Sequence, residues 1–198
     1  MQKTVCLKSF VILGWSFGGP LALMVAANMP SQATGIILCG TFVSSPRRWL
    51  TPLRFVLIPP VVAVIRALRR TRLLIPGYAS IELRKAKAVT WKTVKASALA
   101  SRARAALSMD TRAILCECRT ELLYIAATRD EVISRKHLHE IRTIAPHTQL
   151  AEIEGTHLAM FNNPAQSADC ILNFILSLMS SKQRRELNKV ISQNDALN

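Results

Sequence analysis

The pentapeptide Gly14-Trp15-Ser16-Phe17-Gly18 constrains this chain more than any other feature, because of what flanks it. Before it, Phe10-Val11-Ile12-Leu13 is a short continuous apolar run, the signature of a buried strand in a parallel sheet. After it, Leu21–Met29 is rich in Ala, Leu and Met and stops before Pro30, which predicts a helix. Pro20 falls where a first helical turn tolerates it. Gly35–Cys39 reads as a second buried strand, so the chain opens as a βαβ unit. A Gly-x-Ser-x-Gly turn at a strand–helix junction holds its serine in a strained, exposed corner, and its flanking glycines let strand and helix approach closely. The plain alternative is an ordinary strand-to-helix turn that needs glycines.

A serine hydroxyl is a poor nucleophile until a base takes its proton. A turn of this kind predicts the order Ser, acid, His, each partner following its own strand. Strand Thr120–Ala127 runs into Asp130, and strand Gln149–Ile153 runs into His157. His157 would take the proton of Ser16, and Asp130 would orient the imidazole. The N–H of Phe17 would face the developing oxyanion, with the helix N-terminus adding positive potential. Trp15 packs beside the turn in this reading. Glu131 is the rival acid. His137 and His139 fall two apart on a predicted helix Ser134–Ala145 and read as surface residues, and His147 follows Pro146 in a turn. Asp110 reads as a helix cap before Thr111–Leu115, and Asp169 lies on a predicted last helix, Ala165–Met179.

Between the two sheet-forming regions the composition changes. From Ser45 to Arg119 there are 16 Lys or Arg against three acids, Glu82, Asp110 and Glu117, in a chain of formal charge +14. The stretch reads as an insertion with helices at Val61–Arg70, Ile81–Lys87 and Thr93–Ser108, punctuated by prolines. Such a field attracts anionic lipid headgroups, acidic proteins or nucleic acid, or is a merely solvated basic surface. No zinc-finger, bZIP or RNA-binding signature accompanies it, which disfavours nucleic acid. Leu53–Leu68 is apolar but too short to span a membrane, and Arg54, Arg66 and Pro59-Pro60 interrupt it. It reads as a cap helix, or as a segment able to lie on a membrane surface.

Five cysteines (Cys6, Cys39, Cys116, Cys118 and Cys170) are an odd number, and three of them lie in apolar segments. That pattern indicates reduced thiols in a reducing, cytoplasmic compartment rather than a disulfide framework. No His or Cys pair completes a zinc set with Cys116 and Cys118. Lys3 and Lys8 ahead of Phe10–Ala27 also resemble a signal peptide, although a secretion signal has no use for the Gly-x-Ser-x-Gly turn inside it.

With Ser16, Asp130 and His157 in this order, the chain resembles the α/β-hydrolase superfamily from about Thr4 to Leu178. The resemblance is carried by Val11-Ile12-Leu13-Gly14-Trp15-Ser16-Phe17-Gly18-Gly19-Pro20, by Leu123-Tyr124-Ile125-Ala126-Ala127-Thr128-Arg129-Asp130, and by Ile153-Glu154-Gly155-Thr156-His157. Asn163-Pro164 before a helix is similar to the family's ending, and the Ser16 turn is similar to that of the pimeloyl-acyl-carrier-protein methyl ester esterases. The resemblance implies an α/β fold with a mostly parallel sheet and flanking helices. Residues 1–44 and 113–180 would form the core, 45–112 a helical cap, and 181–198 a polar tail. It further implies hydrolysis of a small carboxylic ester or thioester through Ser16, His157 and Asp130, without metal or organic cofactor. Arg66, Arg69, Arg70 and Arg72 of the cap would be placed to grip an acidic carrier protein. Members of the family carry several strands before the serine turn, with a second oxyanion donor. Only nine residues precede the strand here, so an N-terminally truncated domain is expected. An inactive remnant serving as a basic binding module is the competing reading.

Overall fold

The computed structural model describes residues 7–70 and 93–180, with 81, 85, 88 and 89 between them. Four parallel strands pair in sequence order: β1 (Phe10–Trp15), β2 (Ala33–Cys39), β3 (Glu121–Ala127) and β4 (Gln149–Ile153). The registers set Leu13 beside Ile37, Ile37 beside Leu123, and Ala127 beside Ile153. Successive side chains of a strand point to opposite faces. Accordingly Ile36, Leu38, Leu122 and Tyr124 enter one buried cluster, while Ile37, Cys39, Leu123 and Ile125 enter another. Both faces of β2 and β3 are therefore buried, which is why these strands are apolar without alternation.

The helices cover the two faces unequally. The first face takes α1 (Gly18–Asn28), and further along the chain α4 (Arg112–Glu117) and α5 (Arg135–Ile144), through Leu23, Leu115, Leu138 and Ile141. The second takes the short α6 (Ala159–Asn162) and the long α7 (Pro164–Leu178), through Ala159 and Phe174. Gly35 lies on the second face, where an added Cβ would come within 2.5 Å of Leu178 Cδ1, the far end of a side chain that would have to move.

β1 departs from the expected buried strand. It is the edge of the described sheet, and Leu13 is exposed. An apolar run reports burial on two faces, but not whether a further strand pairs along the edge. Leu21 and Val25 of α1, and Met29 at its C-cap, spaced four apart, are exposed as well.

The basic stretch lies between β2 and β3 as a separate group of elements. A 3-10 helix (Arg48–Phe55) is followed by α2 (Pro59–Arg70) and α3 (Ala96–Ser108), and α3 packs against both. Its two ends meet: Ser44 forms an antiparallel bridge with Asp110, and Thr111 N–H donates to Val43 O at 2.7 Å. Asp110 accepts from Arg112 N–H at 3.2 Å at the start of α4, with Thr111 in the cap position itself. The ion pair with Arg112 holds the Asp110 carboxyl down at about 2. On the core side, Ser44 Oγ and Arg48 both donate to Glu140 of α5, at 2.8 and 3.0 Å. Of the helix expected at Ile81–Lys87 only residues 81 and 85 are described, both helical; the polar tail from residue 181, Cys6, Arg72 and the side chains of Arg66, Arg69 and Arg70 lie outside the described residues. No helix among the described residues is long and apolar enough to cross a membrane.

Candidate active site

Ser16, Asp130 and His157 follow the carboxyl ends of β1, β3 and β4, so three parallel strands deliver them to one end of the sheet. Ser16 has φ of +53°, the left-handed region that non-glycine residues avoid. Backbone contacts hold it there: Ser16 N–H donates to Cys39 O at 2.9 Å, and Gly19 N–H donates to Ser16 O at 3.1 Å. Thr41, fully buried, donates its hydroxyl to the same Ser16 carbonyl.

The glycines around the turn differ in what they do. A Cβ on Gly14 would lie 2.5 Å from Gly18 O and 2.6 Å from Gly19 Cα, so strand and helix could not close. A Cβ on Gly19 would collide with the Thr41 side chain. Gly18 faces open space. Close approach thus requires the first glycine of the pentapeptide and the residue just after it, whereas the sequence reading assigned it to Gly14 and Gly18.

Ser16 Oγ lies 3.1 Å from His157 Nε2, and His157 Nδ1 lies 2.8 Å from Asp130 Oδ2. The other carboxylate oxygen, Asp130 Oδ1, accepts from the N–H groups of Val132 and Ile133, both at 2.8 Å. The side chains of His157 and Asp130 are only 8% and 9% exposed. A carboxylate facing Nδ1 keeps the imidazole proton on that nitrogen and leaves Nε2 to accept from the serine. The arrangement can move a proton off Ser16 and stabilise the imidazolium that results. Phe17 N–H makes no hydrogen bond among the described residues and sits at the N-terminus of α1. The Trp15 ring packs 6.1 Å from the His157 ring, with Trp15 Nε1 buried and unpartnered.

Gly40, Thr41, Tyr124 and Cys39 join the site without a sequence signal that marked them as part of it. Gly40, at φ +45°, passes beneath the pair: a Cβ there would lie 3.0 Å from Asp130 Oδ2 and 3.5 Å from His157 Nδ1. Its position directly after β2 was the available clue. Thr41 anchors the serine turn and is itself held by Tyr124, whose hydroxyl accepts from Thr41 N–H at 3.1 Å and donates to Thr41 O at 3.0 Å. Burial raises the Tyr124 phenol well above its ordinary value, so it remains a donor. Glu131, the rival acid, accepts instead from the His157 backbone N–H at 3.1 Å. Cys39 lies nearby, its thiol pushed up to about 12 by burial, then by Asp130 and Cys170.

The other histidines stay apart. His139 and His147 are exposed. His137 is not the surface residue expected of it: it packs edge-on to Phe42 at 6.2 Å, with Nδ1 buried and 3.8 Å from Glu140.

Comparison with known proteins adds the context of other chains. Residues 4–169 match the alpha/beta hydrolase family. No curated protein matches the chain. Among solved structures, a hydrolase from Pseudomonas aeruginosa PA01 is similar at 20% identity and a TM-score of 0.65, over 85% of this chain and 65% of that one. A carboxylesterase structure from Nitrososphaera gargenis is similar at 19% identity and TM-score 0.64, over 87% and 66%. A thermophilic esterase from Thermogutta terrifontis, with malate bound, is similar at 16% identity and TM-score 0.66, over 87% and 66%. The chain therefore spans just under two thirds of the length of these structures.

Proposed function

The chain belongs to the alpha/beta hydrolase family, and on that premise we propose that it cleaves a small carboxylic ester or thioester with Ser16 as nucleophile. The supporting observation is the hydrogen-bonded line from Ser16 Oγ through His157 to Asp130, made across three strand ends. Ser16 Oγ attacks the carbonyl carbon as its proton passes to His157 Nε2. Asp130 stabilises the imidazolium and keeps its orientation, itself held by Val132 and Ile133. The oxyanion of the tetrahedral intermediate accepts from Phe17 N–H at the positive end of α1. His157 then gives its proton to the leaving alcohol or thiol, leaving an acyl-serine. Water, deprotonated by the same imidazole, releases the acid. This cycle uses no metal or organic cofactor.

Trp15 acts in this scheme by packing against His157 rather than by touching substrate. Residues 45–112 form a cap over the site and shape the acyl pocket. Arg102 of α3, whose guanidinium lies 5.4 Å above the Phe17 ring, supports that arrangement. Free thiols at Cys39, Cys116, Cys118 and Cys170 support a reducing, cytoplasmic setting.

A fluorophosphonate probe tests the assignment. It should label Ser16, with labelling abolished in Ser16→Ala and strongly slowed in His157→Ala. A natively folded chain that takes up no probe overturns the reading and leaves a basic binding module on a hydrolase framework.

A further inference from the structure

The 3-10 helix at the start of the inserted stretch buries none of its residues. In a 3-10 helix, side chains three apart eclipse one another. Trp49, Pro52 and Phe55 therefore share one face, and Trp49 and Phe55 are each 74% exposed. Leu53, Val56 and Ile58 extend the apolar surface, all of them exposed. Singly exposed apolar side chains are ordinary, but this many large ones, aromatic and aliphatic, within ten consecutive residues mark an interaction surface.

The charge of this stretch of sequence indicates what the patch meets. From Ser45 to Ile81 the sequence holds seven arginines and no Asp or Glu. Arg47 and Arg48 are exposed beside Trp49, and Arg48 stays 63% exposed even while paired with Glu140. The Arg54 guanidinium stacks 4.7 Å above the Phe55 ring. Trp and Phe side chains flanked by arginine suit the headgroup level of a bilayer, where the rings enter the acyl boundary and the guanidinium groups meet phosphate. An acidic protein surface would satisfy the charge but leave these rings facing polar groups.

We propose that this face docks on a membrane surface containing anionic lipid, with Trp49 and Phe55 inserted and Arg47 and Arg54 on the headgroups. The 3-10 helix follows the carboxyl end of β2, the same end of the sheet that bears Ser16, Asp130 and His157. It packs on α3, the helix whose Arg102 lies over Phe17. Docking would bring the site next to the bilayer, where lipid-borne esters are concentrated. The docking itself is independent of whether Ser16 turns over substrate.

The test uses the full chain and extruded vesicles of phosphatidylcholine, alone or with phosphatidylserine, read by co-sedimentation. Binding should be at least about tenfold tighter with the anionic lipid, and Arg47→Gln with Arg54→Gln should weaken it by about thirtyfold. Trp49→Ala with Phe55→Ala should weaken it at least about tenfold at constant lipid charge. Brominated acyl chains should quench the wild-type fluorescence, and Trp49→Phe should lose that quenching. The quenching result decides if circular dichroism shows the double variant unfolded. No vesicle binding overturns the proposal. So does binding without Trp49 quenching, which would mean charge alone holds the chain. Tighter, Trp49-dependent binding to soluble polyglutamate than to vesicles would assign the face to an acidic protein and overturn it as well.

Discussion

Replacing Gly40 by Ala probes the framework beneath the candidate site at a position outside its reacting groups. Two costs arise. Gly40 sits at φ +45°, and an L residue in that region costs about 1–2 kcal/mol. The lower chain entropy of unfolded Ala returns roughly 0.5–1 kcal/mol of that. The new Cβ would also lie 3.0 Å from Asp130 Oδ2. That carboxylate has little room to retreat, because its side chain is only 9% exposed and Oδ1 is held by two backbone N–H groups. Crowding of this kind adds about 1 kcal/mol or more. The net loss should be about 1–2 kcal/mol, and the melting temperature should fall by about 2–8 °C. Activity should suffer more. A misplacement of about 1 Å costs on the order of a hundredfold, and loss of a triad Asp about 10⁴ in a serine protease. A shift of a few tenths of an ångström should therefore lower kcat by about ten- to a hundredfold with KM nearly unchanged. Thermal unfolding by circular dichroism, with kcat and KM on p-nitrophenyl acetate, measures both. An unchanged melting temperature would refute the conformational argument. A lowered one with full kcat would show that Asp130 gives way freely.

Thr41→Val keeps the buried shape but removes the hydroxyl that holds Ser16 O; denaturant titration should show a loss of about 1–2 kcal/mol, and kcat should drop with it. No change in either would mean Gly19 N–H alone secures the turn. Cys39, with its pKa raised to about 12, contributes stability that is complete below its unfolded value near 9.0 and is lost as pH rises toward 12. A thiol reagent at neutral pH should therefore modify the exposed Cys116 first and reach Cys39 only on unfolding; rapid native labelling of Cys39 contradicts its burial. Leu21→Lys with Val25→Glu alters the exposed stripe of α1 and should reduce self-association in light scattering, while changing stability by no more than about 0.5 kcal/mol per site. A large loss of stability would show that the stripe packs internally.

Much of this molecule is legible without coordinates where the information is local. The strand, serine turn and helix from Phe10 to Asn28 are contiguous, and each is specified by its neighbours: an apolar run, a glycine-framed serine, a stretch of good helix formers. Most of the later strands and helices follow from the same patterns, and with them the positions of Asp130 and His157 just past strand ends; the 3-10 helix Arg48–Phe55, which divides the expected cap helix Leu53–Leu68, and the short α6 do not. What composition cannot carry is proximity between distant segments. Ser16 and His157 are 141 residues apart, and the parallel registers of β1 through β4 set the distance between them. Gly40, Thr41 and Glu131 belong to no motif. They matter because β2 ends beneath the Asp130–His157 pair and because the His157 backbone N–H needs an acceptor. The requirement for Gly19 rather than Gly18 depends on where the Thr41 side chain lies, and the exposure of Leu13 on which strands pair. Backbone preference and hydrophobic period act within a few residues along the chain, whereas steric fit and edge pairing are relations between segments that exist only once the sheet has formed.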